Sequence, residues 1–184
     1  MNIWFTSDTH YNHTESIVYF NRPFQTVEEM NRTIVTNLNA KVESNDQLYI
    51  LGDVCWGDSI QEFRDKLACK TIYVLLGDHD RLLRSRYKHL WNGTYDILDR
   101  EFNGNKFKLC HYPLENWDNP NYKIMLHGHS HGKSSIKTNR IDVGVDGNRF
   151  SPYSLEDILE IIRIRKNVPP TETKPIETSE DQNV

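Results

Sequence analysis

The chain has 184 residues, long enough for one domain with its own core and short for two. Its 22 basic and 26 acidic side chains give a net charge of −4, which argues against binding long nucleic acid through a basic surface but leaves a small nucleotide substrate open. The three cysteines lack a paired spacing, and there is no signal-peptide pattern or membrane-spanning apolar run, so we expect a soluble cytoplasmic protein that does not enter a membrane.

The first half of the chain alternates short β-prone runs with helical segments. Three runs read as strands, and each leads into a loop with an aspartate: 2–6 before Asp8, 48–51 before Asp53 and 71–76 before Asp78. Two helices are predicted between them: about 27–41, with Thr26 and Glu29 as a capping box, and about 60–68, with Ser59 and Glu62 in the same places. Repeated βαβ units predict a parallel sheet whose strand ends bring these loops together.

The second half is richer in short strands. Candidate strands lie at 96–98, 107–110, 123–126 and 140–146, with a hairpin turn at 103–105, and they predict a second sheet packed on the first. Ser154 and Asp157 predict the cap of a helix over about 155–165. From Asn167 the composition predicts a disordered tail, so we expect a folded domain over 1–166 and a tail over 167–184.

Histidines occupy alternate positions at His127, His129 and His131. In an extended segment the three side chains would share one face, and imidazole is the most common metal ligand, although a solvated histidine-rich turn would show the same spacing. Carboxylates brought together at the strand ends would repel one another unless divalent cations neutralised them. Mixed oxygen and imidazole ligands suit Mn, Fe or Zn, with Co or Ni as alternatives.

Five motifs occur in a characteristic order: Asp8-x-His10, Gly52-Asp53, Gly77-Asp78-His79-Asp80, His111 and Gly128-His129-Ser130-His131. Over about residues 1–165 they resemble the motifs of calcineurin-like metallophosphoesterases, most closely the compact bacterial and phage type. The resemblance implies a four-layer α/β fold, an α+β sandwich in which two facing mixed sheets are flanked by helices. It also implies two bound metal ions, for which we favour Mn.

The resemblance further implies a role for each site residue. Asp8, His10 and His131 would hold one metal, Asp78, His111 and His129 would hold the second, and Asp53 would bridge them. A hydroxide bound by both metals would attack phosphorus. His79 would assist departure of the leaving group, and Asp80 would orient or polarise that region. His127 receives no ligand role, and we expect it to pack behind the site.

Asp78 departs from the family pattern, which has asparagine at this position. An added carboxylate should tighten cation binding and make a metal-bound water a weaker acid. The donor of an asparagine amide is also lost. We therefore keep Asp78 as a predicted ligand and expect lower activity than an asparagine would give.

Two functional classes follow from these observations. The first is a phosphoesterase that cleaves phosphodiesters, with phosphomonoesters as further substrates, and that contacts phosphate through Arg22 or Arg81; the alternative for both arginines is a place on the surface. The second is a catalytically weak protein-binding scaffold, as in the retromer subunit of this fold. A scaffold would be expected to lose His79 or several ligands, and here only the position of Asp78 is altered. The oligomeric state stays open.

Overall fold

Strands and helices alternate along the chain in the computed structural model, which describes residues 1–117 and 124–167. In chain order the elements are β1 (Ile3–Thr6), α1 (Glu15–Tyr19), α2 (Val27–Lys41), β2 (Gln47–Ile50), α3 (Ile60–Lys66), β3 (Thr71–Leu75), α4 (Arg81–Ser85), β4 (Gly93–Tyr95), β5 (Ile97–Phe102), β6 (Asn105–Cys110), β7 (Ile124–His127), β8 (Arg140–Asp142), β9 (Tyr153–Ser154) and α5 (Leu155–Asn167). Short 3₁₀ turns lie at Lys88–Leu90 and Val145–Asn148.

The first sheet contains the three strands predicted in the first half of the chain. Its order is β4-β3-β2-β1-β9, in which β1 to β4 are parallel and β9 is antiparallel to β1. Helices connect the parallel strands, so their carboxyl ends lie along one edge of the sheet. The predicted βαβ units are therefore confirmed. Strands β4 and β9 were not predicted, because runs of three and two residues carry no readable periodicity.

The second sheet has the order β5-β6-β7-β8 and is also mixed. Strands β5 and β6 form an antiparallel hairpin, and β6, β7 and β8 run parallel. The hairpin turns at Asn103 and Gly104, whose φ angles of 49° and 74° suit a tight two-residue turn with both central residues left-handed. The predicted hairpin and the predicted second sheet are both confirmed.

Alternate residues of the central strands face two different cores. In β2, Leu48 and Ile50 pack against α2, α3 and α4 on the outer face of the first sheet, whereas Tyr49 faces the second sheet. Between the sheets the Phe5 ring lies 5.7 Å from the Tyr49 ring and 6.1 Å from the Phe107 ring. Helix α5 packs into this inter-sheet core through its buried isoleucines. Two mixed sheets flanked by helices, as the motifs implied, are confirmed.

Two helices begin at the predicted caps. The Thr26 hydroxyl accepts the Glu29 N–H at 3.2 Å, and α2 ends at the predicted Lys41. At α5 the Ser154 hydroxyl accepts the Asp157 N–H at 3.0 Å, and the Asp157 carboxylate accepts the Ser154 N–H at 2.8 Å. This reciprocal pair satisfies two backbone donors that the start of a helix leaves free.

The cap predicted for α3 is wrong in its chemistry. Ser59 precedes the helix, but its hydroxyl donates to the Trp56 carbonyl at 2.7 Å and makes no capping bond. The helix also ends at Lys66 rather than Ala68, where the chain turns extended at Leu67.

The strand predicted over 140–146 ends at Asp142. The Asp142 carboxylate accepts the Gly144 N–H at 2.8 Å, and the chain then leaves the second sheet. It reaches the end of β1, where the Val145 N–H donates to the Ser7 carbonyl at 3.0 Å. This crossing links the two sheets at the edge where the strand-end loops meet.

Helix α5 includes Asn167, one residue into the predicted tail, and the rest of that tail lies outside the described residues. All three cysteines are buried and unpaired. Among the helices of the described ranges, none is long and apolar enough to cross a membrane.

Candidate metal centre

All seven predicted metal ligands lie in loops that meet at one end of the two sheets. Six of them form two triads: Asp8 with His10 and His131, and Asp78 with His111 and His129. Within each triad the candidate ligand atoms lie within 4.8 Å of one another. The structure thus brings together the two sets of residues that the motifs implied. We call them the Asp8 triad and the Asp78 triad.

Asp53 stands between the triads. Its Oδ2 atom lies 3.6 Å from His10 Nε2 in the Asp8 triad and 3.6 Å from His111 Nε2 in the Asp78 triad. The side chain is almost fully buried, so water screens its charge poorly. A carboxylate at this place can reach cations on both sides. This is the position in which a bridging ligand would stand.

Most of the candidate ligands belong to residues whose backbone is strained. Left-handed φ angles between 46° and 66° occur at Asp8, His10, Asp53, His129 and His131. Non-glycine residues rarely adopt this conformation, and when they do it is often at functional sites. Hydrogen bonds between loops hold it: the Asp8 N–H donates to the Gly52 carbonyl and the His10 N–H to the Asp53 carbonyl, both at 3.0 Å.

The histidine stretch is not extended, contrary to the expectation that its three side chains share one face. Only His127 belongs to β7; it is buried, and its Nδ1 lies 2.8 Å from a backbone carbonyl oxygen. The left-handed turns at His129 and His131 aim these two rings in different directions, one into each triad. His129 and His131, although only two positions apart, therefore belong to different triads.

Gly52 and Gly128 allow the loops to approach the ligands. At Gly52, where φ is 93°, an added Cβ would lie 2.4 Å from His111 Nδ1. At Gly128 it would lie 1.9 Å from Ser7 Oγ and 2.5 Å from Asp8 Oδ2. A larger residue at either position would push a candidate ligand out of place, because the neighbouring atoms are themselves buried.

The Nε2 atoms of His10 and His111 are in a suitable state to bind a cation. His111 Nδ1 donates to the Leu51 carbonyl at 2.7 Å, which leaves the lone pair of Nε2 free. The buried Nε2 atoms of His10 and His111 have no hydrogen-bond partner within the described structure. Burial lowers the pKa of both imidazoles, so both are neutral near pH 7, as metal ligation requires.

Negative charge accumulates at the same place. Burial raises the pKa of Asp8 well above its usual range, and the nearby carboxylates of Asp142 and Asp53 raise it further. A bound cation would relieve this cost by neutralising the carboxylates. Unpartnered imidazole nitrogens beside crowded carboxylate oxygens are a donor set that fits divalent cations.

Arg22 is buried and bound within the protein, which corrects both predictions for it, a phosphate contact and a place on the surface. Its buried guanidinium donates from Nε and Nη2 to both carboxylate oxygens of Asp146, at 2.8 and 2.9 Å. Nη2 also reaches the Asp8 carbonyl at 2.7 Å, and Nη1 the Thr9 carbonyl at 3.2 Å. Every nitrogen of the guanidinium is thus engaged by the protein.

Asp146 is a site residue that the sequence analysis missed, and it completes a chain of contacts to the Asp8 triad. Its Oδ2 atom accepts a hydrogen bond from His131 Nδ1 at 2.8 Å. Burial raises the pKa of Asp146, but the hydrogen bonds from His131 and Arg22 have the larger combined effect, so the pKa is lowered. The carboxylate fixes the His131 tautomer and leaves Nε2, 3.9 Å from Asp8 Oδ1, for a cation.

Asp80, predicted to act near the leaving group, faces the backbone. Its Oδ2 atom accepts the N–H groups of Asp53 and Gly77, both at 2.8 Å, and Oδ1 accepts the Val54 N–H at 3.0 Å. Burial raises its pKa to about 6. Asp80 therefore ties together the loops after β2 and β3 and fixes the backbone at Asp53, which is a positioning role.

His79 lies at the mouth of the site. Its side chain is 36% exposed, and Nε2 lies 3.9 Å from Asp53 Oδ2. Behind it, His13 is buried with Nδ1 3.0 Å from His10 Nδ1, a contact in which one ring donates and the other accepts. The sequence analysis assigns His13 no role. Its place three residues after His10, in a loop that follows a strand, is the one signal that pointed to it.

Asp78 is the most exposed of the candidate ligands. Its Oδ1 atom accepts the Tyr112 hydroxyl at 2.6 Å, and this hydrogen bond raises the pKa of Tyr112 to about 12. Its Oδ2 atom lies 3.4 Å from His129 Nδ1.

Arg81 is exposed at the start of α4, and its guanidinium makes no hydrogen bond or ion pair within 1–117 and 124–167. Its contact with substrate stays a prediction.

Comparison with known proteins finds a family model and a similar protein that both match most of the chain. The family model of the calcineurin-like phosphoesterases matches residues 1–174. The uncharacterized protein MJ1445 of Methanocaldococcus jannaschii is 31% identical over 177 residues, which covers 90% of this chain and 94% of that protein.

Two solved structures share the fold. The protein of unknown function AQ665 from Aquifex aeolicus superposes with a TM-score of 0.72 at 24% identity, over 87% of this chain and 98% of its own. An archaeal phosphodiesterase superposes with a TM-score of 0.51 at 19% identity, over 78% of this chain and 82% of its own. At this level of identity the likeness shows a common fold.

Proposed function

Because the chain belongs to the calcineurin-like phosphoesterase family, we propose that it hydrolyses phosphoesters with the help of two divalent cations. The Asp8 triad would hold one cation, the Asp78 triad the other, and Asp53 would contact both. We favour Mn²⁺ for this mixed set of oxygen and imidazole ligands, with Fe, Zn²⁺, Co²⁺ or Ni²⁺ as alternatives.

One observation carries the proposal: the two triads converge on a single buried carboxylate. The Nε2 atoms of His10 and His111 face Asp53 Oδ2 from opposite triads at equal distances of 3.6 Å, and neither has another partner among the described side chains. An unsatisfied buried polar atom is costly, and a cation between these nitrogens and Asp53 would relieve that cost.

The residues around the triads have distinct tasks in this proposal. Bound cations would act as Lewis acids that polarise the phosphoryl group and activate water. His79, partly exposed and beside Asp53, can give a proton to the departing oxygen. Asp80 and the Arg22–Asp146 pair hold the loops and the His131 ring in place. Arg81 is a candidate contact for phosphate.

Within this function we favour phosphodiesters over phosphomonoesters. A structural neighbour is an archaeal phosphodiesterase, although at 19% identity this offers no more than a starting point for the choice of substrate. The net charge of −4 favours small phosphoesters or nucleotides over long nucleic acid. We place the protein in the cytoplasm and assign it no membrane partner.

The proposal is tested by comparing hydrolysis of bis-p-nitrophenyl phosphate and p-nitrophenyl phosphate, first with added Mn²⁺ and then with EDTA. We expect turnover of the diester that the chelator abolishes. The matched variant His79→Ala should lower kcat by about 10²- to 10⁴-fold, the usual contribution of a general acid, without changing the metal content. Loss of metal in that variant would make His79 a ligand. Failure of the wild type on both substrates with cations bound would favour the protein-binding scaffold.

A further inference from the structure

Exposed aromatic side chains lie beside His79 and His13. The Trp56 indole is 43% exposed and lies 5.1 Å from the His79 ring. Tyr19, at the end of α1, is 67% exposed and lies 6.5 Å from the His13 ring. Large apolar surface left in water at the mouth of a polar site often marks a place where a ligand binds.

The Trp56 ring is held rigidly. One face stacks on His13, with ring centroids 4.0 Å apart and planes 7° from parallel. His13 is buried and hydrogen-bonded to His10, and both contacts hold its ring in place beneath the indole. The backbone of Trp56 is fixed as well, because its N–H donates to the Tyr11 carbonyl at 2.8 Å and its carbonyl accepts the Ser59 hydroxyl at 2.7 Å. Because the indole is already fixed before binding, it loses little conformational entropy when a ligand stacks on it.

We propose that Trp56, supported from behind by His13, is a stacking subsite for a flat aromatic group of the substrate, either a nucleobase or an aryl ring. The inference rests on the function proposed above and narrows its substrate class. The His79 ring lies 5.1 Å from the Trp56 ring, and its Nε2 lies 3.9 Å from Asp53 Oδ2, so one substrate can place its ring on the indole and its phosphate at the triads. Indole is a large and sequence-tolerant stacking surface for bases.

Binding of phosphonates tests the subsite without turnover, because their C–P bond resists hydrolysis. Two pairs of phosphonates are compared, and in each pair one member has an aromatic ring that the other lacks. Phenylphosphonate is compared with ethylphosphonate, and the phosphonate analogue of adenosine monophosphate with the matching ribose phosphonate, which lacks the adenine. Dissociation constants are measured by titration calorimetry on the Mn²⁺-loaded protein. The variants are Trp56→Ala, Trp56→Phe and, as a matched control, Ile164→Ala, which removes an exposed apolar side chain from α5.

We expect the ringed member of at least one pair to bind about tenfold tighter to the wild type, in line with the usual value of base stacking. Trp56→Ala should abolish that preference, whereas Trp56→Phe and Ile164→Ala should keep most of it. A preference in the adenosine pair alone identifies a nucleobase, and a preference in the phenyl pair as well identifies any aryl ring.

Equal binding within both pairs would overturn the subsite and leave the proposed phosphoesterase function intact. A preference that survives in Trp56→Ala would also overturn it. If the Mn²⁺-loaded protein binds none of the four phosphonates, both the subsite and the phosphoester site fail.

Discussion

The hydrogen bond made by one nitrogen of a histidine decides which nitrogen is left for a cation. His111 is fixed by the Leu51 carbonyl and His131 by the Asp146 carboxylate, and in both rings Nε2 then points to an aspartate. Such outer partners orient the ring and strengthen it as a ligand. At the scale of single residues, the site depends on these supports as much as on the ligands themselves.

Asp146→Asn tests the support of the Asp8 triad. The substitution keeps the shape of the side chain but removes the negative charge that holds His131 Nδ1 and the Arg22 guanidinium. We expect the affinity for Mn²⁺ to fall by about 10- to 100-fold, measured by titration calorimetry. The control Glu160→Gln changes an exposed carboxylate that pairs with Arg163 on α5 and should leave the affinity unchanged. Equal affinities in both variants would contradict the role of Asp146.

Asp78→Asn tests the departure from the family pattern. An amide oxygen can still accept the Tyr112 hydroxyl and bind a cation, but one negative charge is removed from the Asp78 triad. We expect weaker Mn²⁺ binding together with a higher kcat at saturating Mn²⁺, because the cation is then a stronger Lewis acid. The same kcat with the same affinity would mean that either side chain serves equally well.

At the scale of elements, the sequence predicted best where the signal is local. The capping boxes at Thr26 and Ser154, the helical spacing of α2 and the hairpin turn at Asn103 all depend on residues within a few positions of one another. Predictions failed where a distant contact decides the outcome. The strand at 140–146 ends early because the chain crosses to β1. The cap at Ser59 is an exception, because its hydroxyl donates to a carbonyl only three residues away, that of Trp56.

The cap of α2 gives a prediction at this scale. Thr26→Ala removes the acceptor of the Glu29 N–H and should lower the free energy of unfolding by about 1 kcal/mol. Thr36→Ala is the matched control, because the same change at an exposed position inside α2 should be neutral or slightly stabilising. Urea unfolding followed by circular dichroism measures both. Equal effects of the two substitutions would show that the hydroxyl of Thr26 does not cap the helix.

At the scale of the whole molecule, the two sheets are joined by the site as well as by the aromatic core. The loops of the first sheet supply Asp8, Asp53 and Asp78, and those of the second supply His111 and His129. The ordered motifs sufficed to predict this meeting point, because the ends of neighbouring parallel strands must lie together.

What the sequence could not reveal at this scale is the layer around the ligands. Arg22 and Asp146 lie 124 positions apart, and nothing local marks either as the partner of the other. Arg22 therefore read as a phosphate contact and Asp146 as part of a strand. His13 and Trp56 likewise gain their significance only when the fold stacks their rings beside His79.

The most direct test of the proposed centre is the Mn²⁺ content of the stripped and reloaded protein, measured by mass spectrometry for the wild type and Asp53→Ala. If Asp53 contacts both cations, the wild type should hold two per chain and the variant neither, because each triad loses its shared carboxylate. Two ions at full occupancy in Asp53→Ala, or no ion in the wild type, would contradict the centre proposed here.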